Sequence, residues 1–187
     1  MNDFIKKINS INKLNTSETS ELVAITHVKS FSKGDTILKI DQINKELYFI
    51  NSGLVKLSFY KEDKEFILKF FSEGNFCAAL DSYVTQTPSL YSITAIEETH
   101  LLAVDYKQLD VLAKKYHAIE RVFRKIVSMA TVNMMHRISE MLETNGTERY
   151  EKFLKENSPL INRIRLGDLS GYLGISQVSL SRIRAKK

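Results

Sequence analysis

The sequence predicts an α+β fold: an antiparallel β-roll preceded by short helices, then a long helix, then a C-terminal helix-turn-helix. Three observations predict it. Strand-like alternation punctuated by turn residues runs from Val28 to Asp105. A stretch without glycine or proline follows, from about Tyr106 to Glu143. The closing residues LGDLSGYLGISQVSLSRIRAKK, 166–187, join a leucine-spaced helix, a glycine turn and a cationic helix.

In order along the chain, Phe4, Ile5, Ile8 and Ile11 share one helical face, and Asn15-Thr16-Ser17-Glu18 offers a capped start for a second short helix. Apolar runs such as Val55–Tyr60 and Glu65–Phe71 then read as strands. Lys33-Gly34-Asp35, Asn51-Ser52-Gly53, Glu73-Gly74-Asn75 and Thr87-Pro88-Ser89 separate the runs at the spacing of an antiparallel roll. The long helix, ended by Asn145-Gly146, carries two apolar bands and so wants two partners. One band covers the roll. Pairing with a second copy is expected through Ile119, Phe123, Ile126 and Ala130, with Asn133 setting register.

The formal charge is +5, and all of the excess falls in residues 158–187. There Arg163, Arg165, Arg182, Arg184, Lys186 and Lys187 stand against Asp168 alone. Clustered cations point to a polyanion, since they release the counterions condensed on nucleic acid. In the closing stretch Leu166, Leu169 and Leu173 form an apolar stripe, and Ser170 and Gly171 are small enough for a close crossing. Gly174 suits a left-handed turn residue, and Ser176 can cap the next helix. Leu180 and Ile183 point inward, which leaves Gln177, Val178, Ser181 and Arg182 outward to meet base edges in a major groove. Ser176, Ser179, Arg184, Lys186 and Lys187 are placed for phosphates.

On Glu148-Arg149-Tyr150-Glu151-Lys152-Phe153-Leu154 and on Leu173-Gly174-Ile175-Ser176 followed by Leu180-Ser181-Arg182-Ile183-Arg184, the chain resembles the Crp/Fnr transcription regulators. Lys33-Gly34-Asp35, Phe49–Val55, Glu73–Phe76 and Ser92–Glu97 are weaker matches. The resemblance implies a cyclic-nucleotide-binding-like β-roll over 1–115, a dimerisation helix over 116–145 and a winged-helix-like DNA-binding unit over 146–187. It further implies a cytoplasmic homodimer with double-stranded DNA, RNA polymerase and a small-molecule effector as partners. The effector pocket would draw on Phe76, Ala78, Ala79, Ser89, Leu90 and Tyr91. Cyclic-nucleotide binders carry Gly-Glu after the Phe that matches Phe76, and an Arg before Ser/Thr-Ala. Ala78-Ala79 and Ser89-Leu90-Tyr91 stand there instead, so cyclic AMP is not expected to bind.

No cofactor and no metal are expected. One cysteine, Cys77, supports neither a disulfide nor an iron–sulfur cluster, and its apolar neighbours predict a buried thiol. His27, His100, His117 and His136 have no metal-ligand spacing, and no apolar run is long enough for a membrane span. A cupin-like enzyme would need a His cluster on its strands, where His100 alone stands. A ligand-binding subunit without DNA binding would explain the roll but not the cationic tail.

Overall fold

The computed structural model describes residues 1–62 and 64–185. Two short helices open the chain, α1 (Asn2–Ile11) and α2 (Thr16–Ala24). The expected cap at α2 forms as a reciprocal pair: the Glu18 amide donates to Asn15 Oδ1 at 2.9 Å, and the Asn15 amide donates to Glu18 Oε2 at 2.8 Å. The roll follows as two four-stranded antiparallel sheets. One orders β1 (Thr26–Phe31), β8 (Thr99–Asp105), β3 (Glu46–Ser52) and β6 (Phe76–Cys77). The other orders β2 (Thr36–Leu38), β7 (Ser92–Ala95), β4 (Val55–Lys61) and β5 (Lys64–Phe71). Between β6 and β7 lies a helix that the apolar run around Cys77 did not signal, α3 (Leu80–Thr85).

Each sheet turns one face inward. Tyr48, Ile50, Val55, Leu57, Phe71, Cys77, Ile93 and Leu101 fill the space between them. The outer face of the first sheet carries Phe49, Leu102 and Val104, which bury against Phe4, Ile8 and Leu22 of the N-terminal helices and against Leu109, Ile119 and Val122 further on. Phe4, Phe49 and Phe76 lock this second core through ring contacts of 5.3–6.1 Å.

The stretch expected to be one helix is two, α4 (Tyr106–Lys115) and α5 (His117–Glu143). Tyr116 adopts an extended backbone between them, and its hydroxyl donates to Glu21 at 2.6 Å. Docking on α2 thus bends a segment that contains no helix breaker. After α5 come α6 (Gly146–Glu156), a 3-10 turn (Ser158–Leu160), α7 (Leu166–Leu173) and α8 (Gln177–Ala185). Among the described residues the regular elements of this last segment are all helices, and no strand of a wing is present.

Candidate nucleic-acid interface and effector cavity

The motif Glu148–Leu154 turns out to be structural. Asn145 Oδ1 accepts from the amides of Thr147 and Glu148 at 2.9 and 3.1 Å, which caps α6. Arg149 is buried and donates Nε–H to the Leu173 carbonyl at 2.9 Å and Nη1–H to the Thr144 carbonyl. One guanidinium therefore joins the end of α5 to the end of α7. Both carbonyls belong to helix ends that have no partner of their own.

Beyond Leu173 the turn forms as expected. Gly174 sits at φ 67° and ψ 30°, a left-handed conformation that costs glycine little. The Ser179 amide donates to Ser176 Oγ at 3.1 Å, and the two hydroxyls bond each other at 2.9 Å. Leu180 is fully buried with Leu169, Leu173 and Phe153, and Ile183 packs at the edge of that cluster. The anchored face leaves Gln177, Val178, Ser181 and Arg182 exposed together, with Arg184 exposed nearby. Gln177 folds back toward α7, where a Cβ on Gly167 would stand 3.2 Å from its Nε2. Lys186 and Lys187 lie outside the described residues.

The helix-turn-helix does not hang free. Leu54, Ile67 and Phe70 of the roll share a core with Tyr150, Phe153, Leu169 and Leu173. A Cβ on Gly171 would meet the Glu65 carbonyl at 3.0 Å, so the small residue admits a strand of the roll and not the crossing helix that its size had suggested. Charges flank the contact: Lys56 Nζ bonds Glu65 and Asp168, each at 2.7 Å. Arg163 donates to Glu73 at 2.8 and 3.1 Å and to Glu97. Arg163, counted from sequence among the free cations of the tail, is thus consumed inside the chain, while Arg165, Arg182 and Arg184 remain exposed. Arg137 of α5 stacks on the Tyr172 ring at 4.0 Å and donates to the Tyr172 carbonyl.

A cavity of about 890 Å³ opens between the roll, α5 and α6. Of the six residues expected there, Phe76, Ala78 and Tyr91 line it. Ala79 and Ser89 are fully buried elsewhere and Leu90 is 67% exposed to solvent, so these three do not form the pocket. The reason lies in Asp81, which α3 carries across to that segment. Its carboxylate accepts from the Ser89 hydroxyl at 3.1 Å and from the Leu90 amide at 2.9 Å. An internal anion holds the donors that a bound phosphate would need. Reasoning from sequence missed the strand residues Leu57, Leu68 and Lys69 as cavity walls. A lone lysine within an apolar strand was the available signal.

The pairing face of α5 also needs correction. Ile119 is fully buried in the core with Phe4 and Leu109, so it cannot meet a second copy. Phe123 packs at the edge of the same core, and Ile126, Ala130 and Asn133 line the cavity. Exposed apolar residues of α5 are Met129, Val132, Met135, Ile138, Met141 and Leu142, of which Ile138 also lines the cavity and Leu142 is 82% exposed.

Residues 28–116 match the family model of the cyclic nucleotide-binding domain. Among solved structures, the chain is similar to the c-di-GMP-responsive global regulator CLP of Xanthomonas campestris, with 16% identity, 92% of this chain and 91% of that one covered, and a TM-score of 0.75. FixK2 of Bradyrhizobium japonicum is similar at 18% identity, 87% and 84% coverage and a TM-score of 0.76. A protein of Eubacterium rectale placed in the Crp/Fnr regulator family is similar at 16% identity, 92% and 82% coverage and a TM-score of 0.75. The chain has the Crp/Fnr fold, with a cyclic nucleotide-binding domain at residues 28–116. No curated protein matches its sequence. The domain match ends at Tyr116, so α5, the far wall of the cavity, and the helix-turn-helix lie beyond it. Among the described residues no helix is long and apolar enough to cross a membrane.

Proposed function

We propose that the chain is a cytoplasmic transcription regulator that binds DNA as a homodimer. The roll (1–115) acts as sensor, 116–145 as the pairing helix and 146–187 as the DNA-binding unit. The observation that carries this reading is the outward face of α8, where Gln177, Val178, Ser181 and Arg182 stand exposed while Leu180 anchors the opposite side. A helix held this way enters a major groove, where Arg182 donates to guanine, Gln177 reads adenine and Val178 touches a thymine methyl. Ser176, Ser179 and Arg184 contact phosphates, joined by Lys186 and Lys187 at the chain end.

The exposed stripe Met129, Val132, Met135 and Leu142 supports pairing of α5 with its copy. A two-fold dimer then reads a pseudo-palindrome with half-sites about one helical turn apart. Because the cavity is walled by both the roll and α5, an occupant biases how α5 seats and hence how the two α8 helices are spaced. A ligand-binding subunit without DNA binding is the competing reading.

Selection of genomic DNA fragments by the purified protein, followed by affinity for the enriched site across a salt series, separates the two. The regulator loses affinity steeply with salt. Arg182→Ala is expected to lose about 1–3 kcal/mol and to relax preference at one base. An Arg182→Ala variant with full affinity and unchanged preference would refute the docking of α8.

A further inference from the structure

The inner face of β5 presents an unusual group to the cavity. Lys69, paired across strands with Leu57, lines it beside Phe71, with Nζ 5.1 Å from the Phe71 ring centroid. Lys56 on the neighbouring strand shows how this fold ordinarily treats a half-buried ammonium: two carboxylates hold it at 2.7 Å. Among the described residues no carboxylate forms an ion pair with Lys69. Burial pulls its ammonium below the ordinary lysine range, and its buried neighbour Cys77, a neutral thiol, offers no counter-charge.

The carboxylates on the cavity wall are committed elsewhere. Asp81 is held by Ser89 and Leu90, Glu140 by Arg137 at 3.0 Å and Lys152 at 3.1 Å, and Glu156 stands by Lys152. Much of the remaining wall is apolar, Leu57, Phe76 and Tyr91 on the roll and Ile126, Ala130 and Met134 on α5, with Thr131, Asn133 and His136 of α5 as polar lining. An unpaired ammonium on the wall of an apolar cavity is costly until an anion meets it, and a charge-assisted bond there is stronger than in water. The volume of about 890 Å³ is that of a small-molecule site.

We propose that this cavity binds a small organic anion, one carboxylate or sulfonate on an apolar body, with the Lys69 ammonium as its anchor. The charge lies against β5, away from the Ser89–Tyr91 segment that Asp81 occupies. The apolar body reaches α5. This rests on the reading of the roll as a sensor, since it names what the sensor takes.

The test uses two fluorescent probes of similar shape, anionic 1-anilinonaphthalene-8-sulfonate and neutral N-phenyl-1-naphthylamine, titrated into the full chain. Lys69→Met is expected to weaken the anionic probe at least tenfold and to change the neutral one less than twofold, with Lys69→Arg restoring the anionic probe. In the unmodified protein, decanoate is expected to displace the anionic probe while 1-decanol does not, a result that needs no variant to fold. Equal affinity of the anionic probe for the native protein and Lys69→Met, or equal loss of both probes, would overturn the proposal. So would displacement by 1-decanol as effective as by decanoate. Affinity for the enriched DNA site, measured on the same preparations, tests the regulator reading separately: its absence beside Lys69-dependent anion binding sinks that reading and leaves the anchor standing.

Discussion

Replacing Arg149 with Met tests the joint between the long helix and the helix-turn-helix. The guanidinium is buried and gives one bond to the Leu173 carbonyl and one to the Thr144 carbonyl. Methionine keeps much of the stem's packing but leaves both carbonyls without that donor. A bond to a charged group contributes about 1.5–3 kcal/mol, and two bonds from one guanidinium overlap, so the expected loss is about 3 kcal/mol. For a chain of this size each kcal/mol lowers Tm by about 2–4 °C, which gives a drop of roughly 6–12 °C. Thermal unfolding followed by circular dichroism measures it. Lys155→Met, an exposed change on the same helix, serves as control and is expected within about 0.5 kcal/mol of the native protein. Because the Leu173 carbonyl lies one residue before the turn at Gly174, DNA affinity should fall by more than the unfolded fraction explains. An Arg149→Met protein that unfolds within 1 °C of the control would refute the joint.

Leu142→Asp places a charge on the exposed apolar stripe of α5, and sedimentation velocity is expected to show monomers with near-native unfolding temperature; an intact dimer would show that pairing uses another surface. Acid should weaken the clamp between the roll and the helix-turn-helix. The Arg163 guanidinium beside Glu73 holds its carboxyl below the usual carboxylate range, so the contribution is complete above that range, about 4.3, and is lost as pH falls through the depressed value. The Tm difference between the native protein and Arg163→Met should therefore be present at pH 7 and shrink near pH 3, and a constant difference would count against the pair. Cyclic AMP is expected to give no binding heat in calorimetry, because Asp81 holds the Ser89 and Leu90 donors; a micromolar Kd would contradict this.

Much of the candidate interface was legible because its determinants are local. Leu169, Leu173 and Leu180 share faces by helical spacing, Gly174 is the turn residue that a left-handed backbone favours, and Ser176 reaches the Ser179 amide within one helical turn. The alternation from Val28 to Asp105 likewise fixed two sheets, since inward and outward faces follow from neighbouring residues. The break at Tyr116 and the helix at Leu80–Thr85 escaped because no glycine or proline marks them; the first depends on Glu21 of α2.

By itself, then, the sequence determined the order of roll, long helix and helix-turn-helix, the capped helix starts, and the residues that α8 turns outward. Only the tertiary structure decided which band of α5 is inner and which is free, that Arg163 is spent on Glu73 and Glu97, that Asp81 fills the segment a phosphate would need, and that Lys69 faces a cavity with no carboxylate paired to it among the described residues. These pairings join residues far apart in the chain, such as Lys56 with Asp168 and Arg149 with Leu173. Spacing within one helix or strand has no access to them: they exist once loop closure brings two surfaces together and burial makes each charge find, or lack, a counterpart.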